Sequence, residues 1–264
     1  MVSRSCLLPK RAFSLVELSI VLVILGLLVG GVLSGQSLIR AAQIRSVSSE
    51  FTRYATAVGT FRDKYFALPG DMNNAQSFWG VAHATAATCV TTAGIGNQTC
   101  NGDSDGIIYP STGSNESLRF WQHLASAGLI EGSYDGITHG TGGTSSTTAN
   151  SPASKLGSSA LWWVWYYGAI TGSVVAFDAT YGNFLQLGIQ VPNAPPTIAT
   201  LKPEEIWNID TKVDDGKPAT GRLLVWANSG LATCTDTATS SNLNASYLLS
   251  SNAIVCNAIL RQAF

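Results

Sequence analysis

The stretch that most constrains this chain is Phe13 to Leu33, FSLVELSIVLVILGLLVGGVL, preceded by Lys10 and Arg11 and broken by a single acid, Glu17. A helix of about 20 apolar residues crosses about 30 Å of hydrocarbon, so the run reads as a membrane segment. A carboxylate in the middle of such a helix costs on the order of 2.5 to 3.5 kcal/mol on insertion scales, and such groups usually have a partner. Two plainer readings stand beside a partnered acid. In an ordinary single anchor, Glu17 lies near the helix end and reaches headgroup water. In a secretory signal, a basic start and a short apolar core precede a small-residue cut, a part that VLSGQ around Ser34 could play. The run is too long for such a signal, and it carries an acid at its start.

The string KRA-FSLVELSIVLVILG resembles the N-terminal signature of type IV pilins and of the pseudopilins of type II secretion. Basic pair, small residue, Phe, Ser, two aliphatics and Glu occur in order before the apolar run. The resemblance implies that a prepilin peptidase cuts between Ala12 and Phe13 and that the new Phe13 amine is methylated. It also implies that Glu17 of one subunit pairs with Phe13 of the next. Ala12 stands where the family most often has Gly. Further partners implied are other copies or other pilins in a filament, and an inner-membrane assembly platform.

The rest of the composition suits one membrane segment plus one globular domain: 264 residues, 45% hydrophobic and 12% charged. Loss of a leader ending at Ala12 removes three basic residues and leaves 12 basic against 16 acidic, a net of −4. That is no whole-surface footprint for nucleic acid. Lys10 and Arg11 place the N-terminus in the cytoplasm and everything after Leu33 across the membrane. There the four cysteines beyond the leader, Cys89, Cys100, Cys234 and Cys256, meet an oxidising compartment. Three connectivities are open to them, and proximity favours Cys89 with Cys100 and Cys234 with Cys256.

Beyond Leu33 the helical period continues. Ile44, Val47, Phe51, Tyr54, Val58, Phe61 and Tyr65 recur in steps of three and four, while Arg40, Gln43, Arg45, Ser49, Glu50, Arg53 and Arg62 take other faces. No proline lies between Pro9 and Pro69, so one helix can run from Phe13 to about Tyr65, with Gly26, Gly30, Gly31 and Gly35 permitting close helix approach. Ser114-Asn115 can cap a helix through about Ala127, with Gly128 as its stop. The stretch from Asp135 to Ala160, with THGTGGTSSTTANS, reads as an exposed mobile loop. LWWVWYY, SVVAFDATY and FLQLGIQV read as strands, the last two joined by a Gly182-Asn183 hairpin turn. Leu185, Leu187, Ile189 and Val191 alternate with Gln186, Gly188 and Gln190, predicting one buried face and one wet face. A helix begins near Pro203, and GRLLVWA and NAIVCNAIL are the last strands. The block IDTKVDDGKPATG resembles a segment of one group of pilin-like proteins.

Few residues carry chemistry. Asn101, Asp103 and Asp105 stand at every second position before Gly106, as oxygen ligands do in calcium loops, yet Thr112 occupies the place where such a loop wants an acid. Asp-Gly turns explain the same spacing. Asp210, Asp214 and Asp215 form a second acidic group. His83, His123 and His139 lie far apart, and no hydrolase, metalloprotease, phosphate-loop or dinucleotide motif is present. Trp162, Trp163, Trp165, Tyr166 and Tyr167 read as core plus a covered strand face, with a carbohydrate or partner surface as the other reading.

The expectation is therefore an α+β chain in which a long N-terminal helix packs on an antiparallel sheet. It divides into a leader at 1–12, a helix at 13–66 that spans the membrane at about 15–35, and a globular head at 67–264. As a structural subunit of a type IV pilus-like filament it is no enzyme and needs no cofactor, calcium being the one ligand considered. It waits in the inner membrane with its head in the periplasm before joining an extracellular or periplasmic filament. The alternatives are a type II secretion pseudopilin and, from another class, a membrane-anchored binding or enzymatic domain.

Overall fold

The computed structural model describes residues 14–85, 88–89, 91–109, 115–140, 145–157, 159–261 and 264. Helix α1 runs from Leu15 to Tyr65, and the chain divides into two compact units at Ala42/Gln43. Ala12 and Phe13, and with them the expected cut, lie outside the described residues. α1 stops where Phe66 takes a positive φ of 53° and gives its N–H to the Arg62 carbonyl. Pro69 then prevents resumption, and Gly70 turns the chain at φ 87°. A Cβ at Gly70 would lie 2.4 Å from the Glu116 carbonyl oxygen, so only glycine fits this turn.

After Tyr65 come two helices, α2 (Ala75–Trp79) and α3 (Glu116–Ser126). Three strands follow, β1 (Ala160–Ile170), β2 (Ala179–Val191) and β3 (Ala194–Ile198), and then α4 (Pro203–Val213). β4 (Leu223–Trp226), the short α5 (Leu231–Cys234) and β5 (Asn257–Arg261) complete the order. The sheet is antiparallel throughout, ordered β1-β2-β5-β4, with β3 also paired to β2.

Strand alternation sorts the side chains into two layers. Trp162 and Val164 of β1, Leu185 and Leu187 of β2, Leu223 and Val225 of β4, and Ala258 and Leu260 of β5 join one core. Val47, Phe51, Tyr54, Ala57, Val58 and Phe61 of α1 cover it, with Phe120, Trp121 and Leu124 of α3 and Ile206 and Ile209 of α4. Each such large side chain contributes about 1.5–3 kcal/mol on burial. The Tyr54 ring meets Trp121 and Trp162 edge-on, at centroid distances of 5.0 and 5.7 Å. On the opposite face Phe184, Leu224 and Ile259 pack with Ala176 and Tyr181. Trp165, Tyr167 and Trp226 lie half-buried against them.

Four details differ from the sequence reading. Gly182 and Asn183 lie inside β2, opposite Tyr167 and Tyr166, because the long aromatic strand β1 takes a partner through that point. The Asn183 side chain is committed elsewhere, accepting the Ile108 N–H and donating to the Gly106 carbonyl. The hairpin falls instead at Pro192-Asn193, between the paired Val191 and Ala194, where proline presets φ and Asn193 takes φ 60°. The expected wet face of β2 is covered at Gln186 and Gly188, which are buried, and stays exposed only at Gln190. The polar stretch before β1 is packed in part, with Ser145, Ser146, Asn150, Ser151 and Ser154 buried while His139, Thr148, Ala149 and Lys155 stay exposed. There Asn150 donates to the Ile137 and Ser145 carbonyls, so short polar side chains replace apolar area as the filling.

Glu50 is the fourth. Assigned by period to an outer face, it is 5% exposed and joins α1 to the chain ahead of β1. Its carboxylate accepts from Ser154 Oγ at 2.7 Å, Lys155 N at 2.8 Å and Trp162 Nε1 at 2.7 Å. Three donors satisfy an acid that the helix would otherwise have to turn outward.

Candidate functional site

The start of α1 is built as a capping box. Ser14 Oγ accepts the Val16 N–H at 3.3 Å, and Glu17 at the third helical position reaches back to accept the Ser14 N–H at 2.9 Å. The helix N-terminus, with its positive dipole end, thus holds the one acid of the apolar run. Next to it Leu15 is 85% exposed, and the apolar side chains through Leu33 are all more than half exposed. With a mean hydropathy of 2.6, this is the one helix among the described residues long and apolar enough to cross a membrane. A Cβ added at Gly26, Gly30, Gly31 or Gly35 would meet nothing within 4 Å. Among the described residues nothing therefore requires those glycines.

Disulfides join Cys89 to Cys100 and Cys234 to Cys256, with Cα separations of 6.1 and 5.6 Å, the pairing that proximity favours.

Two groups of acids come together. In the first, single carboxylate oxygens of Asp71, Asp103, Asp105 and Glu116 lie within 4.8 Å of one another. Asp71 accepts the N–H groups of Asp105 and Gly106, and Glu116 those of Asp103 and Tyr109. Burial raises the Asp71 carboxyl above its ordinary range and pushes Glu116 up to about 8. Asn101, predicted to stand with these acids, spends its side-chain oxygen on the Gln76 N–H at the start of α2. Asp71 was missed because it lies more than thirty positions upstream of Asp103 and no local spacing connects them. In the second group Asp210, Asp214 and Asp215 meet at the end of α4. Burial first, and then its two acidic neighbours, push Asp210 up to about 7.

The histidines serve structure. His139 lies 2.6 Å from Asp135, and His83 Nδ1 accepts the Thr85 N–H. His123 is fully buried: its Nδ1 accepts the Gly70 N–H at 2.9 Å, and its Nε2 lies 3.0 Å from Thr99 Oγ1. Because Thr99 gives its own proton to Gln122 Oε1, the Nε2 atom carries the ring proton. Burial, with the Arg119 charge nearby, lowers its pKa to about 3. A residue so committed is a brace between the turn after α1 and the Cys89–Cys100 loop. The aromatic run of β1 alternates between the sheet's faces: fully buried Trp162 joins the core under α1, while Trp163, also fully buried, stands against Trp165 on the other face, where half-buried Trp165 and Tyr167 stack and Tyr167 stacks on Trp226.

Residues 8–33 match the prokaryotic N-terminal methylation motif. The chain carries a prepilin motif. This is the motif of type IV pilins and pseudopilins, families of structural subunits, and its matched span contains the capping box, Glu17 and three of the open glycines, Gly26, Gly30 and Gly31. With the apolar helix that follows, it fits membrane anchoring before assembly. No curated protein and no solved structure matches the chain.

Proposed function

We propose that this chain is a structural subunit of a type IV pilus-like filament. A prepilin peptidase removes residues 1–12 by cutting between Ala12 and Phe13, and the Phe13 amine is methylated. The helix of residues 13–66, spanning the inner membrane at about 15–35, then holds residues 67–264 on the far side as the head. Subunits polymerise through that helix, alone or with other pilins, on an inner-membrane assembly platform.

The observation that carries this reading is the prepilin motif leading into a helix whose apolar side chains are exposed and whose glycines have open space around them among the described residues. In the single subunit, the capping box keeps Glu17 hydrogen-bonded at the membrane boundary. A carboxylate has room for more than one donor, so the Phe13 amine of a neighbour can add to the Ser14 N–H without displacing it. The charge pair then offsets the burial of both groups in the filament and sets the axial register. Mass spectrometry of the mature N-terminal peptide tests the processing: a methylated peptide starting at Phe13 is expected, and retention of the basic leader overturns the reading. Glu17→Leu tests the assembly: the protein should insert in the membrane and yield no filaments in sheared-cell fractions. Intact filaments would refute the pairing.

A further inference from the structure

We propose that the outer edge of β1 over residues 164–170 is a self-association surface, which pairs antiparallel with the same edge of a second copy of this chain. β1 gives one side to β2. On its other side Trp162 donates its N–H to the Pro152 carbonyl, the Ala160 carbonyl accepts the Ser154 N–H, and Ala153 bridges Leu161. Backbone groups alternate sides along a strand, so the N–H and C=O of Val164, Tyr166, Gly168 and Ile170 also point away from β2. Among the described residues none of those groups has a hydrogen-bond partner.

An open row of this kind is a template for another strand, and folded proteins blunt it with lysine, proline, a bulge or a covering segment. The sheet does so at its other borders. β3 carries Pro195 and Pro196, which have no N–H to offer. At β4 the Val225 N–H goes to the Pro218 carbonyl, the Ala227 N–H goes to the Val175 carbonyl, and Ala176 bridges Trp226. Residues 164–170, VWYYGAI, contain neither charge nor proline. Residues 165–168 are half-buried and Ala169 is exposed. The Tyr109 ring, edge-on to Trp165 at 6.1 Å, flanks the stretch, while its own N–H is spent on Glu116.

Self-complementarity selects the occupant. Since β3 and β4 offer no such row, two copies meet through this edge on both sides, about a twofold axis. With the axis at Tyr167, Val164 stands opposite Ile170, Tyr166 opposite Gly168, and Trp165 opposite Ala169. Every outward N–H then meets a C=O, one β-branched side chain faces another, an aromatic ring covers a glycine, and no like charges meet. The axis of such a pair stands perpendicular to the sheet. The two sheets therefore become one, with both α1 helices on the same face and running in opposite directions. In the filament reading, on which this clause alone rests, the contact joins subunits of two filaments of opposite polarity and not neighbours within one.

The test uses the full chain in detergent micelles with Cys6→Ser, which leaves no free thiol beside the two disulfides. Amide hydrogen exchange at Val164, Tyr166, Gly168 and Ile170 should slow by about tenfold or more between dilute and concentrated protein, while Trp163 and Trp165, bonded to β2, stay unchanged. Tyr167→Cys places a thiol on the axis, where opposite Cα atoms stand about 4.5 Å apart, so mild oxidation should give a disulfide dimer. Ala169→Cys lies on the same face but opposite Trp165 of the other copy, and should give about a tenth as much or less. Adding Gly168→Pro to Tyr167→Cys removes an outward N–H, leaves the bonds to β2 in place, and should abolish the dimer. Exchange that does not change with concentration overturns the proposal, and this measurement needs no substitution in β1, so it decides the matter if a cysteine variant fails to fold. A folded Tyr167→Cys that gives no dimer, equal yields from the two cysteines, or a dimer that survives Gly168→Pro overturns it too. Association through α1 alone leaves the four amides unchanged, so the outcome is separate from the tests of processing and filament assembly.

Discussion

Replacing Glu50 with alanine should test how α1 is held to the sheet. The substitution removes the acceptor for Ser154 Oγ, Lys155 N and Trp162 Nε1 together. Lys155 is exposed, so water replaces the lost bond to its N–H, but Ser154 and Trp162 are buried and their donors lose their partner. At about 1–3 kcal/mol for each orphaned donor, the two sum to about 2–6 kcal/mol. Releasing a buried carboxylate with no cation beside it returns part of this, so a loss of about 2–4 kcal/mol is expected. Tryptophan fluorescence during urea unfolding of the detergent-solubilised chain is a direct assay, since the Trp162 indole is one of the orphaned groups. Glu50→Gln keeps one oxygen for Ser154 and Trp162 and turns its amide toward the Lys155 N–H, so it should lose only about 1–2 kcal/mol. If Glu50→Ala unfolds within about 0.5 kcal/mol of the parent, the three bonds do not anchor the helix. If the glutamine variant is as damaged as the alanine variant, charge and not the number of acceptors is what matters.

His123 predicts a pH signature. With a folded pKa of about 3 against an ordinary 6.5, its contribution is complete above pH 6.5 and is lost as pH falls toward 3, by about 1.4 kcal/mol per unit. Glu116 and Asp210 are shifted upward and act with the opposite sign, so the comparison to make is parent against His123→Gln. The parent's advantage in unfolding free energy, measured with urea, should shrink by about 2 kcal/mol between pH 6.5 and 5, and a constant gap would refute the buried neutral ring. At Gly188 a Cβ would sit 1.8 Å from the Pro196 carbonyl oxygen, so Gly188→Ala should push β3 from β2 and destabilise by about 1–3 kcal/mol in the same assay. Gly30→Leu, where a single chain has open space, should leave unfolding of the isolated protein unchanged and reduce filament yield; unaltered filaments would remove the glycines from helix packing.

Much of the fold was legible because it rests on local rules. The apolar run, the absence of proline between Pro9 and Pro69, and the stripe from Val47 to Tyr65 define α1 and its packed face. Pro203 followed by two glutamates marks α4. The errors arise where a local signal competes with a distant partner. Gly182-Asn183 has turn chemistry, yet the pairing energy of a long aromatic strand carries the chain straight through it. Glu50 is polar by type, but three donors more than a hundred positions downstream make its burial favourable.

The candidate sites divide the same way. The prepilin motif and Glu17 are written in consecutive residues, because a peptidase site and a membrane-spanning helix each depend on a contiguous segment. The sequence by itself therefore determined the helix, its insertion chemistry and the motif at its start. Only the tertiary structure decided that Asp71 joins Asp103 and Glu116, that His123 is a buried brace, and that Asp210 faces Tyr247 with one oxygen unpartnered. Such groupings depend on which distant segments share the interior, and desolvation there sets both their partners and their protonation.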